Sequence, residues 1–321
     1  MNTFSTQSNM VRQKIQAEVL FKLSNQIPLY HPREDNSGNY YVSSHAGEIL
    51  KFSDSVSPTV FMTIGGQPNC VAFDNTDTIY YADLAHSTVF LKSIGSTNRD
   101  KNSVIDNDEE KIVCKDYNGN PLKGPTSIVY NKDEETLLIT DAGTFGTSSL
   151  NRSIGSLFIY DVQSNVSRPL LFNCLAYPAD ICLDSVRNTV YLCETFTNRI
   201  IRIVQRDGIY NCSIFYQFSG RVGPTAITLD DTIGNIYVAR YEFQNEENDI
   251  DGIISVLNKE GVLLGEIVIP KLPEITGLLI PSKSKDQIIM TEKNSSCIYR
   301  IKLTNFMNEV DKFEENNKLI I

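Results

Sequence analysis

Tryptophan is absent from this chain of 321 residues, and histidine nearly so, with three copies at His31, His45 and His86. The scarcity of imidazole confines any metal centre or acid–base site built on histidine to those positions. No apolar run approaches the roughly 18 residues that a membrane-spanning helix needs. The first residues, MNTFSTQSNMVRQKIQAEVLFKLS, lack an apolar stretch of signal-peptide type, so an unprocessed, cytoplasmic protein without membrane partners is expected. Clusters of basic residues are missing as well: the formal net charge is -10 and the pI about 4.9. Nucleic-acid affinity rests on grouped Lys and Arg, so nucleic-acid partners are excluded. No G-x-S-x-G elbow, H-E-x-x-H pair, phosphate-binding loop or dinucleotide glycine pattern occurs.

Seven cysteines are present, an odd number without close pairing, and several fall inside apolar patterns such as Asn69-Cys70-Val71-Ala72-Phe73. Buried free thiols are the expectation.

The clearest positive signal is a repeat. GQPNCVAFDNTDTIYYADLAHSTVFLKS, GPTSIVYNKDEETLLITDAG, YPADICLDSVRNTVYLCETFTNRIIRIV, GPTAITLDDTIGNIYVARYE and LPEITGLLIPSKSKDQIIMTEKNSSCIYRIKL share one outline, and a sixth copy begins near Pro28. In each, a proline (Pro68, Pro125, Pro178, Pro224, Pro273) opens a short apolar strand, a polar turn follows, a second strand ends in a polar residue, and a third shows aliphatic alternation. Copies recur every roughly 40 to 57 residues, the spacing of propeller blades rather than helical solenoids. The β-branched runs IYVA, LLIT and VYLC, bounded by Asp, Asn and Gly, read as strands. The expectation is an all-β, six-bladed propeller over residues 18–304, with four-stranded antiparallel blades. SPTVFMTI, SRPLLFN and LLGEIVIP supply outer strands, and AEVLFKLS near the N-terminus supplies the outer strand of the last blade, so that the ring closes without free edges. Residues 1–17 and 305–321 fall outside the ring. The residues after the second strands, Asp83, Asp141, Glu194 and Glu292, read as acceptors for backbone N–H groups in the strand-ending turns, with Arg240 in the same slot of the fifth copy.

At these motifs the sequence resembles a known superfamily: the six-bladed propellers of strictosidine synthase, adipocyte plasma-membrane-associated protein and the gluconolactonase/regucalcin enzymes. ITDAGTFGTSSLNRSIGSLFIYDV is similar to a long insertion between second and third strands, YPADICLDSVRNTVYLCETFTNRIIRIV to a characteristic blade, and GIISVLNKEGVLLGEIVIP to the segment that follows. The resemblance covers nearly the whole chain, and divergent NHL repeats have the same outline. It implies a divalent cation at the channel mouth, held by Glu, Asn and Asp oxygens just after the strand-opening prolines. Here those slots read Thr126, Ala179 and Thr225, and the first blade offers no Glu between Ile27 and Pro32. Asp180 is one position late, which on a regular strand points to the opposite face. No cofactor and no metal is therefore expected, and the hydrolase reading weakens with the loss of a Lewis acid. Strictosidine synthase uses a Glu near the start of the last blade, and by resemblance Glu274 lies in about that place.

Two weaker patterns remain. The histidines read as ordinary surface residues. NEENDIDG, from Asn245 to Gly252, mimics half of a calcium loop but has Asn258 where the loop's closing Glu belongs. The function expected from the sequence is a non-catalytic protein-interaction scaffold, binding partners through its faces and the insertions at 94–110, 142–154 and 241–251. The alternative is a small-molecule hydrolase or strictosidine synthase-like enzyme acting at the channel mouth, with Glu274 and Asp180 or Glu194 as acid–base candidates.

Overall fold

Short β-branched runs that cannot bury both faces alone must pair and then stack, and the six copies of the repeat do so as blades. A computed structural model gives the fold and describes residues 10–24, 26–76, 78–93, 110–143, 153–220, 223–241 and 251–318. Each blade is an antiparallel sheet whose inner strand opens at the repeat's proline or its equivalent: Leu29–Glu34, Pro68–Phe73, Pro125–Asn131, Pro178–Asp184, Pro224–Asp230 and Ile275–Leu279. The core lies between blades, where one sheet's face meets the next. Tyr80, Ile128, Ile139 and Phe158 are packed together between blades 2 and 3, and Tyr191, Ile227 and Val238 between blades 4 and 5.

The ring closes as expected: Glu18–Lys22 pairs antiparallel with Cys297–Lys302 as the outermost strand of blade 6. An earlier segment extends this arrangement. Val11–Lys14 runs parallel to Leu263–Ile269 and gives blade 5 a fifth strand. The C-terminal helix, Thr304–Lys318, packs on these same two strands and buries Phe306 and Val310 in the core between blades 5 and 6. Gly265 allows the double approach, since a Cβ there would meet the carbonyl oxygen of Val11 at 2.4 Å and the Phe306 ring at 3.0 Å. Both ends of the described chain are thus docked on the blade 5 and blade 6 side of the ring. Among the described residues no helix is long and apolar enough to cross a membrane.

One irregularity recurs and sets the site. All six inner strands carry a register shift immediately after their opening: Tyr30/Arg33, Pro68/Cys70, Pro125/Ser127, Pro178/Ile181, Pro224/Ala226 and Ile275/Gly277. A bulge re-aims the side chains beyond it.

Candidate functional site

Because of those bulges, the third residues of the inner strands meet across the axis. Asp180 is 0 % exposed. Its Oδ1 accepts from Arg33 Nη2 at 2.9 Å (blade 1), Ser127 Oγ at 2.7 Å (blade 3) and its neighbour's N–H at 2.9 Å, while Oδ2 accepts from the Ile227 N–H at 3.0 Å (blade 5). Burial alone raises a carboxyl pKa, but the charges of His31 and Arg33 and the hydrogen bonds from Arg33 and Ser127 outweigh it and hold Asp180 well below the usual range. His31, 3 % exposed, places Nδ1 3.5 Å from the same oxygen. Room for it comes from Gly277, where a Cβ would strike the His31 backbone at 2.6 Å. Burial pushes the thiols of Cys70, Cys182 and Cys193 up, so they stand protonated around this plug and unreactive. All seven cysteines are free, and two of them, Cys174 and Cys212, are exposed.

This corrects the expected facing of the strands. Asp180 points to the axis, and the slots expected to face it spend their side chains on the seams. Thr126 Oγ1 donates to Pro178 O at 2.7 Å and Thr225 Oγ1 to Ile275 O at 2.9 Å. The pattern continues round the ring: Thr276 Oγ1 donates to Leu29 O at 2.6 Å, Thr195 Oγ1 to Pro224 O at 2.7 Å, Asn69 Nδ2 to Thr126 O at 2.6 Å, and His45 Nε2 meets Asn69 Oδ1 at 3.1 Å. Together these six contacts place a side-chain bridge at every blade junction. The cation implied by the resemblance does not fit these residues: Ala179 has no donor atom, both threonine hydroxyls are committed, and no group of three or more His, Cys, Asp or Glu among the described residues could hold a metal.

Above the plug, at the end where the inner strands begin, lies the mouth. Glu274 precedes the inner strand of blade 6 and pairs with Lys293 Nζ at 2.8 Å, with side chains 26 % and 43 % exposed. Tyr241 hydrogen-bonds to Glu274, and burial together with that contact raises its pKa. Tyr30 is pushed up to about 12 by burial and the Glu274 charge. Its ring stacks on His45, centroids 4.1 Å apart and planes at 20°. Tyr177 and Phe196 of blade 4 pack at 5.2 Å on the same side, and the Tyr177 pKa is raised by burial and, to a lesser degree, by nearby Tyr30. The mouth is therefore an aromatic collar around one carboxylate–ammonium pair.

The other candidates are elsewhere. Glu194 is 0 % exposed, accepts from the Ala176 N–H at 2.7 Å and is paired with Arg199. Asp83 and Glu292 accept backbone N–H groups in their own turns, as expected, whereas Asp141 accepts the Gly124 N–H from the loop before the inner strand. Asp251 is held by Lys14 of the added strand at 3.0 Å. The rest of the calcium-like segment, and nearly all of the three insertions, lie outside the described residues. The histidines differ from expectation: only His86 is on the surface, paired with Asp83 at 2.6 Å, whereas His31 sits in the plug and His45 is half-buried at the mouth. Its position after the second strand of the first repeat is the signal that could have drawn attention to His45.

No family model matches the sequence, and no curated protein matches it. Solved structures do match. A gluconolactonase from Xanthomonas campestris is 14% identical, with 89% of each chain covered and a TM-score of 0.67. A calcium-binding regucalcin from Agrobacterium tumefaciens is 14% identical over 91% of this chain and 95% of its own, at 0.69. A luciferin-regenerating enzyme is 14% identical over 90% and 95%, also at 0.69. These neighbours count against the scaffold expectation: two of the propellers that share this fold, the gluconolactonase and the luciferin-regenerating enzyme, are enzymes, and the lactonase-type alternative is the reading they favour. The expectation failed because loss of the ligand slots was equated with loss of chemistry, whereas the mouth retains ionisable groups outside those slots. The chain has the six-bladed β-propeller fold shared by gluconolactonase, regucalcin and the luciferin-regenerating enzyme.

Proposed function

We propose that this protein hydrolyses a small cyclic ester, a lactone, at the mouth of its central channel. The observation that carries the reading is the Glu274–Lys293 pair, 2.8 Å apart and open to solvent within a collar of Tyr30, Tyr177, Phe196 and Tyr241. The aromatic faces suit the apolar body of a small ring. The Lys293 ammonium suits the oxyanion that forms when a carbonyl is attacked, and Glu274 holds that ammonium in place while accepting from substrate hydroxyls. The buried Asp180–Arg33–His31 plug forms the floor, which limits the substrate to the depth of the mouth.

The test is a panel of five- and six-membered lactones and aryl esters assayed with and without a chelator. Turnover of at least one lactone, weakened in Glu274→Gln and Lys293→Met variants that unfold normally, is the expected result. Absence of turnover across the panel, with divalent cations added as well as removed, overturns the reading.

A further inference from the structure

Asn69 decides which nitrogen of His45 carries a proton. Its Nδ2 lies 2.6 Å from Thr126 O. A backbone carbonyl only accepts, so the amide must turn its NH2 end to blade 3 and its oxygen to blade 1. There Oδ1 stands 3.1 Å from His45 Nε2. An amide oxygen also only accepts, so Nε2 carries hydrogen, and in the neutral ring the lone pair is left on Nδ1. Stacking on Tyr30 fixes the plane of the ring, and the backbone N–H of His45 donates to Pro28 O at 3.2 Å. A half-buried imidazole of fixed tautomer therefore stands at the mouth, near enough to Lys293 to feel its charge.

We propose that His45 is the general base of the reaction at the mouth, acting through Nδ1, with Asn69 as its positioning residue. This rests on the reading of the mouth as a lactone-cleaving site. Nδ1 takes a proton from water as the water oxygen bonds to the lactone carbonyl carbon and the carbonyl electron pair moves to its oxygen. When the tetrahedral species collapses, the bond from carbon to ring oxygen breaks, and the imidazolium returns its proton to that oxygen. One water is consumed and a hydroxy acid leaves, with no redox partner and no cation in the balance. His31 cannot fill this role equally well, because it is buried with Nδ1 directed at Asp180.

The experiment compares the wild-type protein with His45→Ala and His45→Gln on a lactone that the wild type turns over. General-base loss lowers kcat by about 10²- to 10⁴-fold with KM little changed, and imidazole added to His45→Ala restores part of the rate. Should His45→Ala fail to fold, His45→Gln decides: its amide can still donate to Asn69 but has no basic nitrogen. Asn69→Ala, which frees the tautomer, lowers kcat and displaces the acid limb of the pH profile. Unchanged kcat in a folded His45 variant, or a loss that imidazole does not rescue, overturns the assignment and leaves the lactonase reading standing. A wild type inert toward all lactones removes both.

Discussion

The Asp180 carboxylate accepts the Ile227 N–H at 3.0 Å on one side and the Arg33 guanidinium at 2.9 Å on the other, so one side chain joins blades 5 and 1 through blade 4. Arg33 is 16 % exposed at its side chain and would be left without its anion in Asp180→Asn. Loss of one partner of a buried ion pair costs about 3 to 5 kcal/mol. Asp180→Asn should lower the urea midpoint accordingly, and adding Arg33→Met should recover part of the loss. A single variant as stable as wild type would show that the plug does not hold the ring.

The hydroxyl bridges between blades make a smaller, separable contribution. Thr126→Val keeps the shape but leaves Pro178 O, buried between blades 3 and 4, without its donor. A buried acceptor left unpaired costs about 1 to 3 kcal/mol. Denaturant unfolding of Thr126→Val should show that loss with an unchanged m-value, whereas a change in m would point to loosening of the whole ring.

Most of the architecture was legible in the sequence because a blade cannot bury its faces alone, so the repeat outline and its spacing already specify a stacked ring. The outer strand from AEVLFKLS followed from the same need to cover an edge. What escaped was the facing of residues near the axis: alternation along a regular strand sends Asp180 away from the channel, and only the bulge after Pro178 brings it back. The parallel pairing of Val11–Lys14 left no signature either, since VRQK has neither β-branched density nor a hairpin turn to announce it. His45 was hidden for a related reason. Its partner Asn69 lies on the next blade, and a hydrogen bond that fixes a tautomer across a seam has no local pattern.

The added strand should be a stabiliser rather than a requirement. Its removal, by deleting residues 1–16, strips Arg12 from the buried Glu266, which still keeps Arg240. The truncated protein should fold with a lower thermal midpoint. Deletion of residues 1–24 also removes Glu18–Lys22 and opens the edge of Cys297–Lys302 in blade 6. That longer truncation should yield aggregated protein by size-exclusion chromatography, and a well-folded monomer would argue against ring closure by the N-terminus.

The pH dependence of the reaction tests the mouth as a single electrostatic unit. Burial lowers the His45 pKa from its ordinary value; the Asn69 hydrogen bond and Asp83 oppose the shift, while the His31 and Lys293 charges add to it, and Tyr30 covers the ring face. A base must be neutral to act, so kcat/KM should hold through neutral pH and fall only as pH drops through this lowered pKa, below the unperturbed imidazole value of about 6.5. Linkage gives stability the same sign: unfolding restores the ordinary affinity for a proton, so the contribution of His45 is complete above about pH 6.5 and declines as pH falls toward its folded pKa. Neighbouring charges should then move the limb in opposite directions. Lys293→Met removes a cation and raises the His45 pKa, shifting the limb to higher pH. Glu274→Gln leaves the Lys293 charge uncompensated beside the ring and shifts it lower. A limb that stays in place in both variants would mean that the titrating base lies beyond the reach of this pair, and that His45 is not the group the rate reports.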